Sequence, residues 1–398
     1  MELTLLGTGG PGGLPLPGCT CAACALAVGA GARAATTVVV DGVVLLDPAP
    51  GVALAAARAG QPLGGLRLVL LSHPAARPAA ELPPGLPAPV RLAEAQRLPL
   101  LTGHRVEAVA VDAPGTGYAV ESPQGLRMLY LPPGCAPAGV RVRPGTRPYD
   151  LVLLDVVGRP DGLARLRAAG AVTATTDVVA VHIDHGAPPQ PELGRRLAAA
   201  GARAVPDGTT LVVGDYQEVP DVPRRTLVLG GARSGKSAEA ERRLAAFPGV
   251  VYVATGGSRE GDSEWAERVA LHRERRPGGW RTEETCDLVP LLADPAGPPL
   301  LIDCLSLWLT HVLDEADAWA EPAAAVPRVR ARVAELVAAW RGTRRTVVAV
   351  SNEVGSGVVP STPAGRLFRD ELGRLNGVVA GESEQVLLVV AGLALRLR

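Results

Sequence analysis

Residues 230–237 impose the tightest limits on how this chain folds; they read Gly230, Gly231, Ala232, Arg233, Ser234, Gly235, Lys236 and Ser237. A strand pattern, Thr226–Leu229, precedes this loop, and an amphipathic helical pattern, Ser237–Phe247, follows it. In that setting the spacing G-x-x-x-x-G-K-S predicts backbone N–H groups that surround phosphates at the start of the helix. Lys236 is the candidate contact for the outer phosphates, and Ser237 is the candidate Mg²⁺ ligand. The alternative is a tight turn with an incidental lysine.

The composition draws attention to that lysine and excludes one class of partner. Lysine and arginine together number 40, and Lys236 is the only lysine, which marks a position where arginine does not serve. Aspartate and glutamate also number 40, and a formal charge of zero argues against a protein that binds the nucleic-acid backbone. Hydrophobic residues make up 47% of the chain, enough for folded cores rather than disorder.

The sequence contains no pattern typical of a targeting or membrane segment. Met1 is followed by Glu2 without a basic region, and the apolar run Val386–Leu395 is far shorter than the ~20 residues that span a bilayer. Three of the six cysteines lie within residues 19–24, a clustering typical of metal ligands rather than of a disulfide scaffold. These patterns predict a cytoplasmic protein without a membrane span.

The length of 398 residues and a change of pattern near residue 220 predict two domains joined by a linker. Residues 1–218 are rich in short strand signals separated by turns, which is typical of a strand-heavy α/β or β-sandwich fold. Residues 219–224 contain two prolines and are expected to form a stiff linker. Residues 225–398 alternate strand and helix patterns, which predicts a parallel sheet with helices on both faces.

Leu300–Asp303 is a buried-strand pattern that ends on a carboxylate. In a parallel sheet this residue lies at the carboxyl edge, where it suits a Mg²⁺ ligand beside the phosphate loop. The alternative is that Asp303 caps the helix predicted at Leu305–Glu315. The neighbouring loop favours the metal role.

A second candidate site is a histidine between arginines. In the helical pattern Ser263–Arg276, His272 lies four residues from both Arg268 and Arg276, and hence on the same face. Two guanidinium groups should lower the pKa of the imidazole and keep it neutral and nucleophilic. The arrangement favours attack on the α-phosphate of a nucleotide, which gives a phosphoramidate. Taken alone, the same pattern also describes a solvated helix surface.

Six regions in a fixed order resemble the bifunctional adenosylcobinamide kinase / adenosylcobinamide-phosphate guanylyltransferase family of cobalamin biosynthesis. They are Gly230–Ser237, Tyr252–Thr255, Arg268–Pro277 with Trp280–Glu284, Leu301–Cys304, Ser351–Pro360 and Phe368–Asn376. The resemblance covers essentially all of residues 225–398 and implies a RecA-like P-loop sheet, often assembled as a trimer. It implies phosphorylation of the aminopropanol hydroxyl of adenosylcobinamide with ATP or GTP, and then transfer of GMP from GTP to that phosphate.

The resemblance also implies roles for individual residues. The GMP-carrying histidine of the family matches His272, and Lys236 is the second catalytic position. Outside the loop 230–237, the nucleotide-binding positions match Thr255, Gly256, Gly257, Arg273, Glu274, Arg275, Arg276, Glu284 and Asp303. Some relatives have glutamate at the position of Asp303, and either carboxylate suits it. Asn352–Gly355 follows a strand and is a candidate for the corrinoid side; the alternative is a turn with a helix-capping asparagine.

The N-terminal half resembles a metallo-β-lactamase-fold subgroup related to cyclic-phosphate phosphodiesterases, which implies an αββα sandwich. The matching segments are Leu6–Gly10, Pro17–Cys24, Leu45–Asp47, Val181–His185 and Pro206–Gly208. In that subgroup three cysteines and a distant histidine hold a structural zinc ion, and the matching positions are Cys19, Cys21, Cys24 and His185. Three thiolates and an imidazole form a closed site that stabilises the fold without catalysis. The alternative is three buried thiols without a metal.

The catalytic metal ligands of that fold are mostly missing. Its hydrolases need an H-x-H-x-D-H cluster after a strand, and here His73 matches only the first ligand. The next three ligand positions hold Ala75, Arg77 and Pro78. His182 is a second remnant, but a dinuclear zinc centre needs a nearly complete ligand set. We therefore expect residues 1–218 to have no hydrolase activity.

Together the patterns predict a fusion of a non-catalytic metallo-β-lactamase-like domain with a P-loop enzyme that uses a corrinoid and a nucleoside triphosphate. Two alternatives stay open. One is a different P-loop small-molecule kinase with an active N-terminal phosphodiesterase. The other is a nucleotide-gated scaffold whose N-terminal half recruits a partner.

Overall fold

The computed structural model describes residues 1–74, 82–139, 147–215, 222–257 and 276–398. The chain divides into two compact units, Met1–Asp221 and Val222–Arg398. The predicted linker 219–224 spans this boundary, and residues 219–221 of it lie outside the described ranges. Within those ranges, every helix is too short or too polar to cross a membrane.

The first unit is built from strands and short helices. Its strands are β1 (Glu2–Gly7), β2 (Thr37–Val40), β3 (Val44–Leu46), β4 (Leu68–Leu70), β5 (Pro89–Val90), β6 (Arg97–Pro99), β7 (Arg105–Val109), β8 (Gly117–Glu121), β9 (Arg127–Tyr130), β10 (Leu151–Leu154), β11 (Asp177–Ala180) and β12 (Thr209–Val212). Its helices are α1 (Ala22–Leu26), α2 (Val52–Arg58), α3 (Pro160–Ala168) and α4 (Glu192–Ala199), with a 3₁₀ turn at Gly29–Gly31. The strands form two six-stranded sheets, in the orders β12-β1-β2-β3-β4-β5 and β11-β10-β9-β8-β7-β6.

The two sheets of the first unit pack face to face. Leu5 of the first sheet and Tyr118 of the second belong to one buried apolar cluster between them. The outer face of the first sheet is covered by α2 through Val52. On the second sheet α3 approaches Leu154 at Gly162, where a Cβ would lie 3.6 Å from the Leu154 Cδ1 atom. Helices on the outside of two stacked sheets form the αββα sandwich that the sequence predicts.

The second unit has a single sheet. Its strands are β13 (Arg225–Gly230), β14 (Val251–Ala254), β15 (Arg281–Glu284), β16 (Leu300–Asp303), β17 (Val347–Asn352), β18 (Gln385–Val390) and β19 (Leu393–Arg396). Its described helices are α5 (Lys236–Leu244), α6 (Leu288–Ala293), α7 (Leu305–Glu315), α8 (Pro322–Gly342) and α9 (Pro363–Gly381). The sheet order is β15-β14-β16-β17-β13-β18-β19, and only β19 runs antiparallel to its neighbour.

Helices cover both faces of this sheet. Successive strand residues point to opposite faces, so Leu227 packs in a cluster with Trp340 of α8, whereas Val228 packs in another with Ala240 of α5. The central strands are apolar on both faces, which is typical of a parallel sheet buried between helices. The predicted P-loop architecture is confirmed, and the carboxyl ends of β13 to β17 meet at one edge of the sheet.

Candidate functional site

The phosphate loop, residues 230–237, connects the end of β13 to the start of α5. Gly235 is the N-cap of α5 and has a φ of 96°, a left-handed conformation that favours glycine. A Cβ atom on Gly230 would lie 2.5 Å from the Ser234 Oγ atom and 2.7 Å from the Val389 carbonyl oxygen, so this position also requires glycine. The loop therefore leads directly into the N-terminus of α5 at the carboxyl edge of the sheet.

The side chains of Lys236 and Ser234 make this loop suitable for binding an anion. Lys236 is buried, and its Nζ donates a hydrogen bond to the Gly231 carbonyl oxygen at 3.1 Å, so the ammonium group folds back over the loop. The Ser234 Oγ atom is buried and has no hydrogen-bond partner among the described residues. Because an unpaired buried hydroxyl is costly, a phosphate oxygen in the loop would stabilise it.

Asp303 lies at the same edge and is held by a tyrosine. It ends β16, level with Ala254 of β14 and Val350 of β17. Its Oδ2 accepts a hydrogen bond from the Tyr252 hydroxyl at 2.7 Å. Burial strongly raises the pKa of Tyr252, and the carboxylate raises it further, so the phenol keeps its proton and remains a donor. The N-cap of α7 is Cys304, so the capping alternative for Asp303 does not hold.

Arg276 adds positive charge beside Tyr252. Its Cζ lies 3.3 Å from the centroid of the Tyr252 ring, and its Nη1 donates to the Thr282 Oγ1 atom at 3.0 Å. A guanidinium stacked on an aromatic face is held without losing its remaining donors. The described part of the chain does not include the other residues of this predicted group, which are Arg268, His272, Arg273, Glu274 and Arg275.

A cavity of about 600 Å³ opens over β14 and β15. Thr255, Gly256, Gly257 and Glu284 line it, so the structure brings these four predicted residues together. Thr255 is fixed in place because its Oγ1 donates to the Cys304 carbonyl oxygen at 2.7 Å and accepts from the Cys304 N–H at 2.9 Å.

The opposite wall of this cavity comes from α7 and from residues outside the sequence motifs. The additional lining side chains are Thr285, Cys286, Asp287, Leu307, Thr310, His311 and Asp314. On α7 the spacing of three and four residues places Leu307, Thr310, His311 and Asp314 on a common face, and this periodicity is the signal that identifies them. The carboxylates of Asp287 and Asp314 give the wall an acidic character.

The end of β17 lies between the loop and Asp303. Asn352 pairs in register with Gly230, and its carbonyl oxygen accepts a hydrogen bond from the Asn376 Nδ2 atom at 3.0 Å. The next helix, α9, begins at Pro363 and has Thr362 as its N-cap. The helix-capping alternative for Asn352 therefore does not hold, and the segment lies at the edge where the sequence predicts it.

In the first unit, Cys19, Cys21, Cys24 and His185 come together. Their ligand atoms all lie within 4.8 Å of one another, and the Cys19 Sγ atom is 3.3 Å from the His185 Nδ1 atom. Hydrogen bonds from the backbone of Cys21 and from His185 lower the pKa of Cys19 to about 6, which favours its thiolate. Three sulfur atoms and one imidazole nitrogen at these separations suit a tetrahedral zinc ion, with Zn–S distances of about 2.3 Å.

The carboxylate of Asp47, which ends one of the matching segments, accepts hydrogen bonds from neighbouring side chains and backbone. Its Oδ1 accepts from the Ser72 N–H at 2.6 Å, and its Oδ2 accepts from the Ser72 hydroxyl and from the Tyr130 hydroxyl. The His73 Nε2 atom is 3.8 Å from the same Oδ2. Ala75, Arg77 and Pro78 lie outside the described residues.

His182, the second remnant, is also bonded within the protein. Its Nε2 donates a hydrogen bond to the Leu131 carbonyl oxygen at 3.0 Å. Complete burial lowers its pKa to about 3, so the ring is neutral at physiological pH. Among the described residues, the Asp47 carboxylate and the His182 ring are thus both held by hydrogen bonds within the protein.

Comparison with solved structures finds likenesses that cover about half of this chain. Zinc-bound PqqB from Methylobacterium extorquens is 17% identical, with a TM-score of 0.38, and the likeness covers 53% of this chain and 100% of that one. A diphosphatase from the PhnP family is 20% identical, with a TM-score of 0.40, and the likeness covers 55% of this chain and 99% of the other.

Comparison with protein families and curated proteins concerns the second unit. Residues 226–397 match the family model described as cobinamide kinase / cobinamide phosphate guanyltransferase. The bifunctional adenosylcobalamin biosynthesis protein CobP of Pseudomonas aeruginosa is 42% identical over 179 residues, which are 97% of that protein and 44% of this chain. The corresponding CobU protein of Salmonella typhimurium is 36% identical over 187 residues, 98% of its length. The family predicted from the ordered sequence segments is thus confirmed: this chain belongs to the cobinamide kinase / cobinamide phosphate guanyltransferase family.

Proposed function

We propose that the second unit performs two successive transfers at the carboxyl edge of its sheet. The first phosphorylates the aminopropanol hydroxyl of adenosylcobinamide with ATP or GTP, and the second transfers GMP from GTP to the new phosphate, giving adenosylcobinamide-GDP. The observation that carries the proposal is the phosphate loop 230–237, with buried Lys236 folded over it and Asp303 at the same edge. Membership of the family supports both reactions.

In the kinase step, binding and orientation of the triphosphate are assigned to the loop. Backbone N–H groups of residues 230–237 and the Lys236 ammonium group bind the phosphate oxygens, and Lys236 offsets the charge that develops on the leaving diphosphate. The hydroxyl of Ser237 and the carboxylate of Asp303 are hard oxygen ligands that suit Mg²⁺. When bound, Mg²⁺ neutralises charge on the phosphates; the Tyr252 hydrogen bond keeps the Asp303 carboxylate oriented toward this edge.

In the guanylyl transfer, His272 is assigned as the nucleophile. Its imidazole attacks the α-phosphorus of GTP, pyrophosphate leaves, and an oxygen of the cobinamide phosphate then displaces the histidine. Arg273–Arg276 are assigned to the phosphates, and Thr255–Gly257 with Glu284 to the nucleotide. The cavity that Thr255 and Glu284 share supports this assignment, as does the fixed guanidinium of Arg276.

One incubation tests the proposed function. The full chain is incubated with adenosylcobinamide, GTP and Mg²⁺. The corrinoid products are then separated by chromatography and identified by mass spectrometry. We expect adenosylcobinamide phosphate to appear first and the GDP-linked corrinoid to follow. Nucleotide hydrolysis without any corrinoid product would favour the scaffold alternative and would contradict the proposal.

For the first unit we propose a structural, non-catalytic role with one zinc ion bound by Cys19, Cys21, Cys24 and His185. When bound, zinc cross-links the segment 19–24 to His185. The replacement of three ligand positions by Ala75, Arg77 and Pro78 supports the loss of hydrolase activity. Metal analysis should find about one zinc per chain; two further zinc ions together with phosphodiesterase turnover would contradict this role. The family resemblance further supports a homotrimer, which light scattering of the full chain tests.

A further inference from the structure

The position of β17 singles out the residue that follows it. In the sheet β17 lies directly between β13, which leads into the phosphate loop, and β16, which ends at Asp303. Asn352 pairs with Gly230 on one side, and Val350 pairs with Asp303 on the other. Because neighbouring strands lie about 4.8 Å apart, whatever follows Asn352 emerges between the triphosphate loop and the Asp303 carboxylate.

The backbone at this point is held from both sides. The Glu353 N–H donates a hydrogen bond to the Gly230 carbonyl oxygen at 3.1 Å, which ties it to the first residue of the loop. From the other side, the Asn376 side chain accepts from the Ser351 hydroxyl at 2.6 Å and donates to the Asn352 carbonyl oxygen at 3.0 Å. Ser351 and Asn376 are both buried, so the segment 351–353 forms a rigid extension of the sheet.

Among the described residues, only one of the two carboxylate oxygens of Glu353 accepts a hydrogen bond. Its Oε1 accepts a hydrogen bond from the Gly355 N–H at 2.8 Å. Among the described residues its Oε2 has no hydrogen-bond or ion-pair partner, and the side chain is half-buried. One carboxylate oxygen is therefore fixed, while the other is open to a group that arrives at the loop.

The other carboxylates of the edge are placed differently. Asp303 accepts a hydrogen bond from Tyr252 and is assigned above to the metal. Glu284 ends β15, four strands away from β13, a separation of about 19 Å at about 4.8 Å per strand. Glu353 is attached by its own backbone to the loop and is the nearest of the three in strand order.

We propose that Glu353 is the general base of the kinase step, a role that rests on the proposed function above. The acceptor hydroxyl gives its proton to the Glu353 carboxylate as its oxygen forms a bond to the γ-phosphorus. The bond from that phosphorus to the β–γ bridging oxygen breaks, and the electron pair leaves with the nucleoside diphosphate. The carboxyl group then releases its proton to solvent before the next turnover.

The variant Glu353→Gln in the full chain tests this role. Glutamine keeps an oxygen that accepts from the Gly355 N–H, so the turn is preserved while the basic group is lost. The kinase reaction is measured with adenosylcobinamide and ATP. The guanylyl transfer is measured separately, with adenosylcobinamide phosphate prepared beforehand and GTP. Glu335→Gln on α8, where Glu335 is exposed and pairs with Arg332, is the matched control.

We expect Glu353→Gln to lower the kcat of the kinase reaction about 10²–10⁴-fold and to leave guanylyl transfer within about threefold of wild type. The KM for adenosylcobinamide should stay within about threefold of wild type, and Glu353→Asp should recover part of the rate that Glu353→Gln loses. A kinase rate within about threefold of wild type would overturn the proposal, as would equal loss of both reactions. Absence of both reactions in the wild type would instead refute the proposed function.

Discussion

Lys236 supplies a positive charge in the phosphate loop. It is the only lysine among 40 basic residues, it is buried, and its ammonium group already lies over the loop carbonyl of Gly231. An ammonium group is a compact point charge, whereas a guanidinium is planar and larger. A phosphate that binds in this loop would therefore meet a smaller cation in Lys236 than in an arginine at the same position.

We therefore predict that Lys236→Arg lowers the rate of corrinoid phosphorylation by about 10²-fold or more, although the positive charge is kept. The rate of product formation is measured with saturating nucleotide, and circular dichroism checks the fold. Arg242→Lys, on the exposed side of the same helix, is the control and should leave the rate unchanged. Full activity in Lys236→Arg would show that the ammonium group is not required.

The buried His182 ring leads to a prediction about how the stability of the first unit depends on pH. Its pKa is about 3 when folded and about 6.5 when unfolded, so below pH 6.5 the unfolded state binds the proton more readily. Stability is therefore lost as the pH falls, by about 2 kcal/mol between pH 6.5 and pH 5. Urea unfolding of the first unit at pH 7 and pH 5 measures this loss. His182→Gln keeps a donor to Leu131 and should flatten the pH dependence; an unchanged slope would contradict the assignment.

At the scale of elements, the sequence predicts buried strands well and exposed ones poorly. Leu300–Asp303 forms a strand with the predicted bounds, because both of its faces are covered and its apolar run is continuous. Strands β6 and β7 do not stand out in the sequence, because β6 has only three residues and β7 contains two charged residues, so neither forms a continuous apolar run. The acidic wall of the cavity was not predicted from the sequence either, because residues from separate elements form it only after α7 has packed in the fold.

The link between β14 and β16 gives an element-scale prediction. Tyr252→Phe removes the hydrogen bond to the Asp303 carboxylate but keeps the ring on which Arg276 stacks. Because hydrogen bonds to ligand groups orient them, the Mg²⁺ concentration for half-maximal kinase rate should rise about tenfold or more. Titration of the rate with Mg²⁺ measures this, with Tyr149→Phe in the first unit as control. An unchanged Mg²⁺ dependence would show that the Tyr252 hydroxyl does not contribute to Mg²⁺ binding.

At the scale of the whole molecule, the chain consists of two units with separate cores. The clusters that surround the second sheet contain only residues between 227 and 394, and the curated relatives match this region over 97–98% of their own length. The order of motifs from Gly230 to Asn376 was sufficient to predict the family. What the first unit contributes could not be predicted in the same way, because its recognisable features are two histidines at former ligand positions and four candidate ligands of a structural metal ion.

We predict that a fragment of residues 222–398 folds alone and performs both transfers within about threefold of the full chain, because its core is complete. Steady-state rates of the two forms, measured side by side at equal concentration, check this. The fragment of residues 1–215 serves as the control and should consume no nucleotide. A large loss of activity in the second-unit fragment would show that the first unit takes part in the reaction.

The most direct measurement is the fate of the α-phosphate. The full chain is incubated with GTP labelled at that phosphorus, without corrinoid, and the protein is digested and mapped by mass spectrometry. We predict one GMP adduct on His272, stable to alkali and labile to acid as a phosphoramidate is, and no adduct in His272→Ala. An adduct on another residue, or equal labelling of His272→Ala, would contradict the account.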